Sequence, residues 1–387
     1  MVRLKEKITH DSRMKYNGVG FFGLLWFYLC GFYLTQVTFV SPVYVAYFIT
    51  FLYALLIFSY NKNKHFPLSI FIVFVFCFFG FVLATYSPLS LSINYFISIS
   101  SVLIVVVLFR NRTIKLYHFL FMLGMYSLLF GLDGIWRFLN PDLTHIDKLE
   151  EIGVGFQIYK VNSFMYADSN FVGIQCVMFF SVLLYVFNNI EMSRKDAFFF
   201  KIVFLTLVFS TFLTFSRSAY LGIILALLMN FLCNKERAFY IFCFFFPIFV
   251  FLGGYLVSDY FSNDISFSSK FHILHLTNEY LSNADLLTLL LGVGLGNAEM
   301  EIGMGAHNII VSLMIETGVF GLLFFIISNF IFLAKLGRYF FVICFPFLFS
   351  SLSLGTTAIP YFYTLSVFCI LIRGGDLLVT TKIIKEC

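Results

Sequence analysis

Two long stretches of this chain contain no charged residue, and they constrain its fold more than any other feature. Asp, Glu, Lys and Arg are absent between Lys15 and Lys62, and again between Lys64 and Arg110. A membrane-spanning helix needs about 20 apolar residues, so each stretch has room for two such helices. Over the whole chain only 12% of residues are charged, whereas a soluble domain has about 25%. The sequence therefore predicts an all-α integral membrane protein.

The apolar segments predict about twelve transmembrane helices in a single polytopic domain, 1–387. Two longer loops, about 137–170 and 258–308, interrupt the pattern and contain most of the polar residues. The predicted spans are 21–40, 43–60, 66–86, 93–109, 116–136, 171–187, 202–216, 219–233, 239–257, 309–334, 340–354 and 360–372. The tenth span is long, and Gly318 and Gly321 allow a bend in it or a close helix contact.

Lys and Arg residues are distributed unevenly between the two sides that these spans define. If the N-terminus is cytosolic, all but five of the 25 Lys and Arg residues lie on the cytosolic side, where membrane proteins concentrate positive charge. Both termini are then cytosolic, and both longer loops lie on the opposite face. The net charge of +5 suits an anionic lipid leaflet and needs no nucleic-acid partner. The five exceptions are Arg137, Lys148, Lys160, Arg217 and Lys270.

Arg217 and His307 are the two residues on the outer face with the clearest chemical potential. Arg217, in LTFSRSAYLG, is either an interfacial anchor or a clamp for an anion, because a guanidinium binds phosphate oxygens with two parallel hydrogen bonds. His307, in GAHNIIVSLMIETGVFG, is either a hydrogen-bonding residue of the interface or a general base, because imidazole titrates near neutral pH.

Several smaller residues on this face have a structural interpretation first. Asp168 and Asn170 in YADSNFVG, and Asn308 before the tenth span, are of the residue types that cap helix N-termini. The glycines of GVGLGN lack the βαβ context of a nucleotide site and are expected to let the backbone turn beside a ligand. The eight cysteines lie in or beside apolar runs, without metal spacing, and are expected to be free thiols. We therefore predict neither a metal nor another cofactor.

Four of these segments, which follow one another along the chain in the family's order, resemble the O-antigen ligase and O-antigen polymerase superfamily of bacterial envelope glycosyltransferases. His307 to Gly321 has the spacing His-Asn, nine residues, Gly, two residues, Gly. TFSRSAYLG resembles the Ser-Arg segment of that family, YADSNFVG its Asp-x-Asn-x-x-Gly segment, and LLGVGLGN its Gly-x-Gly stretch. The resemblance covers roughly 165–325, and the first 130 residues match only as hydrophobic spans.

The resemblance implies a metal-independent, inverting glycosyl transfer at the periplasmic face of the bacterial cytoplasmic (inner) membrane. The donor is a glycan on undecaprenyl diphosphate. Arg217 is expected to hold the diphosphate, and His307 to act on the acceptor hydroxyl as general base or to orient it. Asp168, Asn170 and Asn308 are expected to bind substrate. Such an activity also allows a chain-length regulator protein as a partner.

The sequence departs from the family in the larger periplasmic loop. Members usually have a second Arg about 20 residues before the Gly-x-Gly stretch, and Lys270 occupies that region here. Lys neutralises phosphate as a point charge but cannot bind it as a fork. We predict Lys270 as the second substrate-binding cation, with Arg137 and Lys160 as the fallback cations for this role.

Three functions remain open from the sequence. The Asp-x-Asn segment favours a polymerase, which transfers the growing glycan to the non-reducing end of the next lipid-linked repeat unit. A ligase would transfer the glycan to lipid A-core instead. A flippase for lipid-linked oligosaccharides would need a polar path across the bilayer, whereas the charges here gather on one face.

Overall fold

The computed structural model describes residues 20–60, 68–109, 114–144, 146, 155–258, 265–305, 308–352 and 359–372. Within these ranges all regular secondary structure is helical. The α-helices are α1 (Phe21–Leu29), α2 (Pro42–Tyr60), α3 (Leu68–Leu83), α4 (Leu89–Leu108), α5 (Leu116–Leu139), α6 (Ser169–Asn189), α7 (Arg194–Phe212), α8 (Arg217–Cys233), α9 (Glu236–Ser258), α10 (Ile265–Asn283), α11 (Leu286–Leu291), α12 (Ala298–Ile302), α13 (Ile309–Leu336), α14 (Phe341–Ser351) and α15 (Pro360–Ile372). Short 3₁₀ turns cover Gly155–Tyr159 and Gly337–Phe340.

Four helical stretches of the described chain are long and apolar enough to cross a membrane. They are Leu89–Leu108, Leu116–Leu139, Ser169–Asn189 and Ile309–Ser351, the last of which contains α13 and α14. Many large apolar side chains on the helices point outward, among them Leu128, Leu205 and Phe244. Lipid is the environment in which such a surface is stable. These features agree with the predicted helical membrane protein, although twelve spans remain a prediction.

The first predicted span, 21–40, is wrong in its second half, because α1 ends at Leu29. The chain that follows binds side chains from distant helices instead of continuing the helical ladder. Gly31 N–H donates to the Tyr126 hydroxyl at 2.9 Å, and the Gln175 side-chain amide donates to Gly31 O at 2.7 Å. Further along, Leu34 N–H donates to Ser41 Oγ at 2.8 Å. Side-chain partners of this kind satisfy the backbone without a helix.

Helix α6 lies at the centre of the bundle, packed against α5, α7, α8, α14 and α15. Most of its residues are fully buried. Gly222 of α8 lets α8, α6 and α14 approach closely, because a Cβ there would overlap Ser350 Oγ and the Val177 side chain. The core is therefore a close-packed helical interior of the kind in which small residues set the interhelical distance.

Five of the connections between helices meet at one end of the bundle, which we call the loop face. It comprises the described parts of 30–41, 84–88, 140–168, 213–216 and 284–308. Hydrogen bonds join these connections in pairs, for example Thr35 Oγ1 to Met165 O, Ser169 Oγ to Thr214 O and Leu295 N–H to Ser87 Oγ.

The two longer loops predicted from the sequence differ in structure. The described part of 137–170 is mostly irregular, apart from the ends of α5 and α6 and the turn at Gly155–Tyr159. The segment 258–308 instead contains three helices, α10 to α12. Ile273 of α10 packs on Val311 and Ile315 of α13, so this segment is anchored to the bundle.

Candidate functional site

Lys160 is influenced electrostatically by three other predicted site residues, Asp168, Arg217 and Lys270. It directly follows the 3₁₀ turn, and its carbonyl oxygen accepts a hydrogen bond from Ser169 N–H at 3.0 Å, at the start of α6. Burial lowers the pKa of Lys160, and the positive charges of Arg217 and Lys270 lower it further, while the Asp168 carboxylate opposes this shift. The pKa of Lys160 is therefore influenced by two cations and one carboxylate, and the two cations are far from Lys160 in the sequence.

We call Lys160, Arg217 and Lys270 the cation cluster. With Asp168 included, its formal charge is three minus one, or +2. Like charges close together in a partly buried site repel each other unless an anion or a carboxylate compensates them. The cluster is therefore suited to an anionic ligand.

Arg217 is the first residue of α8 and is exposed on the loop face. The preceding Ser216 does not cap the helix with its side chain; its Oγ lies 3.1 Å from Ser218 Oγ. At the other end of the bundle, Ser193 and Arg194 begin α7 with the same dipeptide, but Ser193 forms a complete capping box there. Because the Ser216 side chain does not bond to the first N–H groups of α8, the N-terminus of this helix adds partial positive charge to the cluster.

Asp168 has the N-capping role that the sequence predicts. Its side chain accepts from the backbone N–H of Asn170 at 2.7 Å, and the Asn170 side-chain amide donates to its second oxygen at 3.2 Å. Asn170 is therefore a donor to the cap rather than a cap itself. Both contacts hold the Asp168 carboxylate beside Lys160 at the N-terminus of α6.

Arg137 is fully buried, which distinguishes it from the other predicted cations. Its Nε donates to Asp133 Oδ2 at 2.9 Å, and its Nη1 donates to the carbonyl oxygens of Tyr159 and Leu213, both at 2.9 Å. These three contacts are all within the protein. The predicted substrate contact of Arg137 stays a prediction, and its observed bonds join the segments that precede Lys160 and Arg217.

Asn308 caps α13, as its residue type predicts, by accepting from Ile310 N–H at 3.0 Å and from Val311 N–H at 3.5 Å. His307 and Lys148 lie outside the described residues. Lys270 lies on α10, one helical turn before Ile273, whose side chain packs on α13. Helix α10 therefore links the cation cluster to the start of α13.

The GVGLGN segment turns the backbone sharply, as predicted, with Gly292, Gly294 and Gly296 all at positive φ. The N–H groups of Val293 and Gly294 donate to the carbonyl oxygens of Ile315 and Glu316 at 2.9 and 3.1 Å. Helix α13 breaks immediately after these carbonyls.

Gly318 forms the break in α13, with φ 60° and ψ −163°. Of the two possibilities that the sequence left open, a bend or a close helix contact, the bend is present, and it lies at Gly318, one of the two glycines named for it. The GVGLGN turn docks against the break and satisfies carbonyls that the helix leaves free. Whether a ligand lies beside this turn remains a prediction.

Two residues with a clear place in this architecture were not singled out by the sequence. Asp133 is a carboxylate within the apolar run of α5, and its position four residues before Arg137 was the available signal for a helical ion pair. Ser163 has no comparable signal, and only its contact with Asp133 at 2.6 Å reveals its role. Within the described ranges, no group of three or more His, Cys, Asp or Glu residues is arranged to hold a metal ion.

The seven described cysteines are free thiols, buried or half-buried among apolar residues, as expected.

Comparison with known proteins identifies no relative of this chain: no protein-family model, no curated protein and no solved structure matches it. The function must therefore be argued from the site itself.

Proposed function

We propose that this protein is a polymerase of lipid-linked oligosaccharide repeat units, of the O-antigen polymerase type. The growing glycan would pass from undecaprenyl diphosphate to the non-reducing end of another lipid-linked repeat unit. The proposal combines the resemblance of four motifs with a site whose charge suits a diphosphate. The chain would span the bacterial inner membrane about twelve times, with both termini in the cytosol and the loop face in the periplasm.

The observation that carries the proposal is that the charges of Arg217, Lys270 and Asp168 all act on the half-buried amine of Lys160, whose backbone is bonded to the start of α6. Each cation was selected from the sequence because it breaks the positive-inside pattern, and Arg217 and Lys270 also because of where they lie in the family motifs. Their convergence at one end of a bundle with membrane-length helices is what a lipid diphosphate requires, since its lipid tail lies in the bilayer and its charge lies at the surface. Arg binds phosphate oxygens with paired donors, and Lys adds point charge.

The chemistry follows from charge development in the transition state. The acceptor hydroxyl oxygen attacks the anomeric carbon from the face opposite the diphosphate and forms the new glycosidic bond. The bond from that carbon to the diphosphate oxygen breaks, and its electron pair leaves with the diphosphate. The hydroxyl proton passes to His307 in this scheme. Cations fixed near the departing oxygen lower the barrier because negative charge grows there.

Arg217→Ala and His307→Ala test the site in cells that depend on this gene for long-chain glycan. We expect both variants to lose the glycan ladder on a gel while immunoblots of the membrane fraction show normal protein levels. Arg194→Ala is the matched control for Arg217→Ala, because it removes an exposed arginine from the first position of a helix at the opposite end. A normal ladder from both Arg217→Ala and His307→Ala would contradict the proposed site.

Deletion of the gene separates the three functions. Loss of a polymerase leaves lipid A-core capped with single repeat units, whereas loss of a ligase leaves the core bare. Loss of a flippase leaves the repeat unit on undecaprenyl diphosphate in the cytosolic leaflet. The polymerase proposal requires the first result, because single units must still be exported and ligated.

A further inference from the structure

A buried ion pair lies directly beneath the cation cluster. Asp133 and Arg137 are one turn apart on α5, both with no exposed side-chain surface, and Asp133 Oδ2 lies 2.9 Å from Arg137 Nε. An ion pair in an apolar interior is costly to desolvate unless further hydrogen bonds satisfy its remaining groups. The partners of this pair therefore indicate what it does for the protein.

Arg137 binds both segments that lead to the proposed phosphate-binding residues. Its Nη1 donates to Tyr159 O and to Leu213 O, each at 2.9 Å. Tyr159 directly precedes Lys160, and Leu213 lies in the short turn that leads to Arg217. One nitrogen atom thus fixes the separation of two chain segments that are 54 residues apart in sequence, as the difference 213 minus 159 gives.

Asp133 holds the other side of the Lys160 segment. Its Oδ1 accepts from Ser163 Oγ at 2.6 Å and from Phe164 N–H at 3.0 Å. Ser163 Oγ in turn accepts from the N–H groups of Met165 and Tyr166 at 3.0 and 3.1 Å. The carboxylate therefore determines the path by which the loop returns from Lys160 to Asp168.

An aromatic stack reinforces the same geometry. Tyr159 stacks on Phe138 of α5 and on Phe215, with ring centroids 5.2 and 5.1 Å apart. Phe215 has φ 52°, a conformation that costs a non-glycine residue energy and persists only where surrounding contacts enforce it. The turn before Arg217 is thus held in a shape it would not adopt alone.

We propose that Asp133 and Arg137 are positioning residues that hold Lys160 and Arg217 at the separation needed to bind a diphosphate. This inference rests on the proposed function. Lysine cannot replace Arg137 in this role, because a single ammonium group cannot reach a carboxylate and two carbonyls with the fixed geometry of a guanidinium.

Binding of farnesyl diphosphate to the full-length protein in lipid nanodiscs tests the proposal, with farnesyl monophosphate as the ligand of lower charge. We expect Arg137→Lys and Asp133→Asn to weaken farnesyl diphosphate binding by about tenfold or more, because charge-assisted contacts to the phosphates are misplaced. Arg338→Lys is the matched control. Arg338 pairs with Glu236 at 3.4 Å, next to the C-terminal end of α8 and away from Arg217.

A second measurement needs no ligand and separates positioning from general stability. Acetylation of Lys160 by an amine-reactive ester, followed by mass spectrometry over a range of pH, reports the pKa of its amine. Exposed Lys195 in the same chain is the internal reference. In the wild type, Lys160 should react at lower pH than its surface counterpart, because burial, Arg217 and Lys270 lower its pKa while Asp168 opposes them. In Arg137→Lys the Lys160 profile should move toward that of Lys195.

The outcomes distinguish failure of this inference from failure of the proposed function. Unchanged farnesyl diphosphate affinity and an unchanged Lys160 profile in folded Arg137→Lys and Asp133→Asn would overturn the positioning role. A wild type that binds farnesyl diphosphate no better than the monophosphate would contradict the diphosphate site, while the acetylation profiles would still test positioning. If the charged-pair variants fail to insert, Ser163→Ala is the milder test, and it should shift both readouts in the same direction.

Discussion

Replacement of Gly318 by alanine should measure how closely the break in α13 approaches the GVGLGN turn. At φ 60° and ψ −163° the backbone occupies a region that is essentially restricted to glycine, at a cost of about 1–3 kcal/mol for other residues. A Cβ at this position would also lie 2.6 Å from Gly292 N and from the carbonyl carbon and oxygen of Leu290. These are backbone atoms, so relief of the overlap requires a shift of the chain, which costs about 1–3 kcal/mol more. We expect Gly318→Ala to lower the free energy of unfolding by about 2–6 kcal/mol.

Gly337 offers an unusually close control for this substitution. It has φ 64° and ψ −155°, nearly the same backbone conformation, but a Cβ there would meet nothing within 4 Å. Gly337→Ala should therefore incur only the conformational cost of about 1–3 kcal/mol. Both free energies can be measured by reversible unfolding with sodium dodecyl sulfate in mixed micelles. Losses that agree within about 0.5 kcal/mol, the scatter of neutral substitutions, would refute the close approach of the break to the turn.

Two further predictions concern the cation cluster. Lys270→Arg should keep long-chain glycan synthesis, whereas Lys270→Ala should reduce it about tenfold, because a charge-assisted contact is lost. Lys195→Ala, at the opposite end of the bundle, is the control and should have no effect. Equal activity of the two Lys270 variants would show that Lys270 is not part of the site. The second prediction concerns pH, since the lowered pKa of Lys160 means that this amine loses its proton at lower pH than an exposed lysine. The affinity of the wild type for farnesyl diphosphate should therefore fall as the pH is raised through the pKa of Lys160. Lys160→Arg stays protonated and should retain its affinity at the same pH. Identical pH profiles of the two proteins would argue against a direct role of the Lys160 charge.

The sequence predicted many helix limits well because the signal for an apolar helix is local. The segment predicted at 116–136 is helical from Leu116 to Leu139, and that predicted at 171–187 is helical from Ser169 to Asn189. The end of α1 was missed for the opposite reason. After Leu29 the chain leaves the helix and Gly31 bonds to Tyr126 and Gln175. These two partners are 95 and 144 residues away from Gly31 in the sequence. No local pattern contains that information.

The site residues likewise divide into those that the sequence could identify and those whose role depends on the packing of distant segments. Arg217, Lys160 and Lys270 could be named from the sequence because each is a basic residue on the face predicted to lie opposite the cytosol, where few are expected. Their mutual proximity depends on the packing of α10 and the path of the loop that ends at Asp168. The spacing of Asp133 four residues before Arg137 was a sequence signal for an ion pair, but the contacts of Asp133 with Ser163 and Phe164 depend on the path of the loop.

The sequence by itself determined the apolar, helical class of this protein and predicted the face on which the unusual cations lie, because apolar length and charge asymmetry are properties of individual segments. Only the tertiary structure decided which cations meet, since that depends on side chains that bond across long sequence separations. Arg137 illustrates the difference most clearly. The sequence presented it as one more cation for the substrate, whereas its full burial and its bonds to Asp133, Tyr159 and Leu213 make it a support for the others.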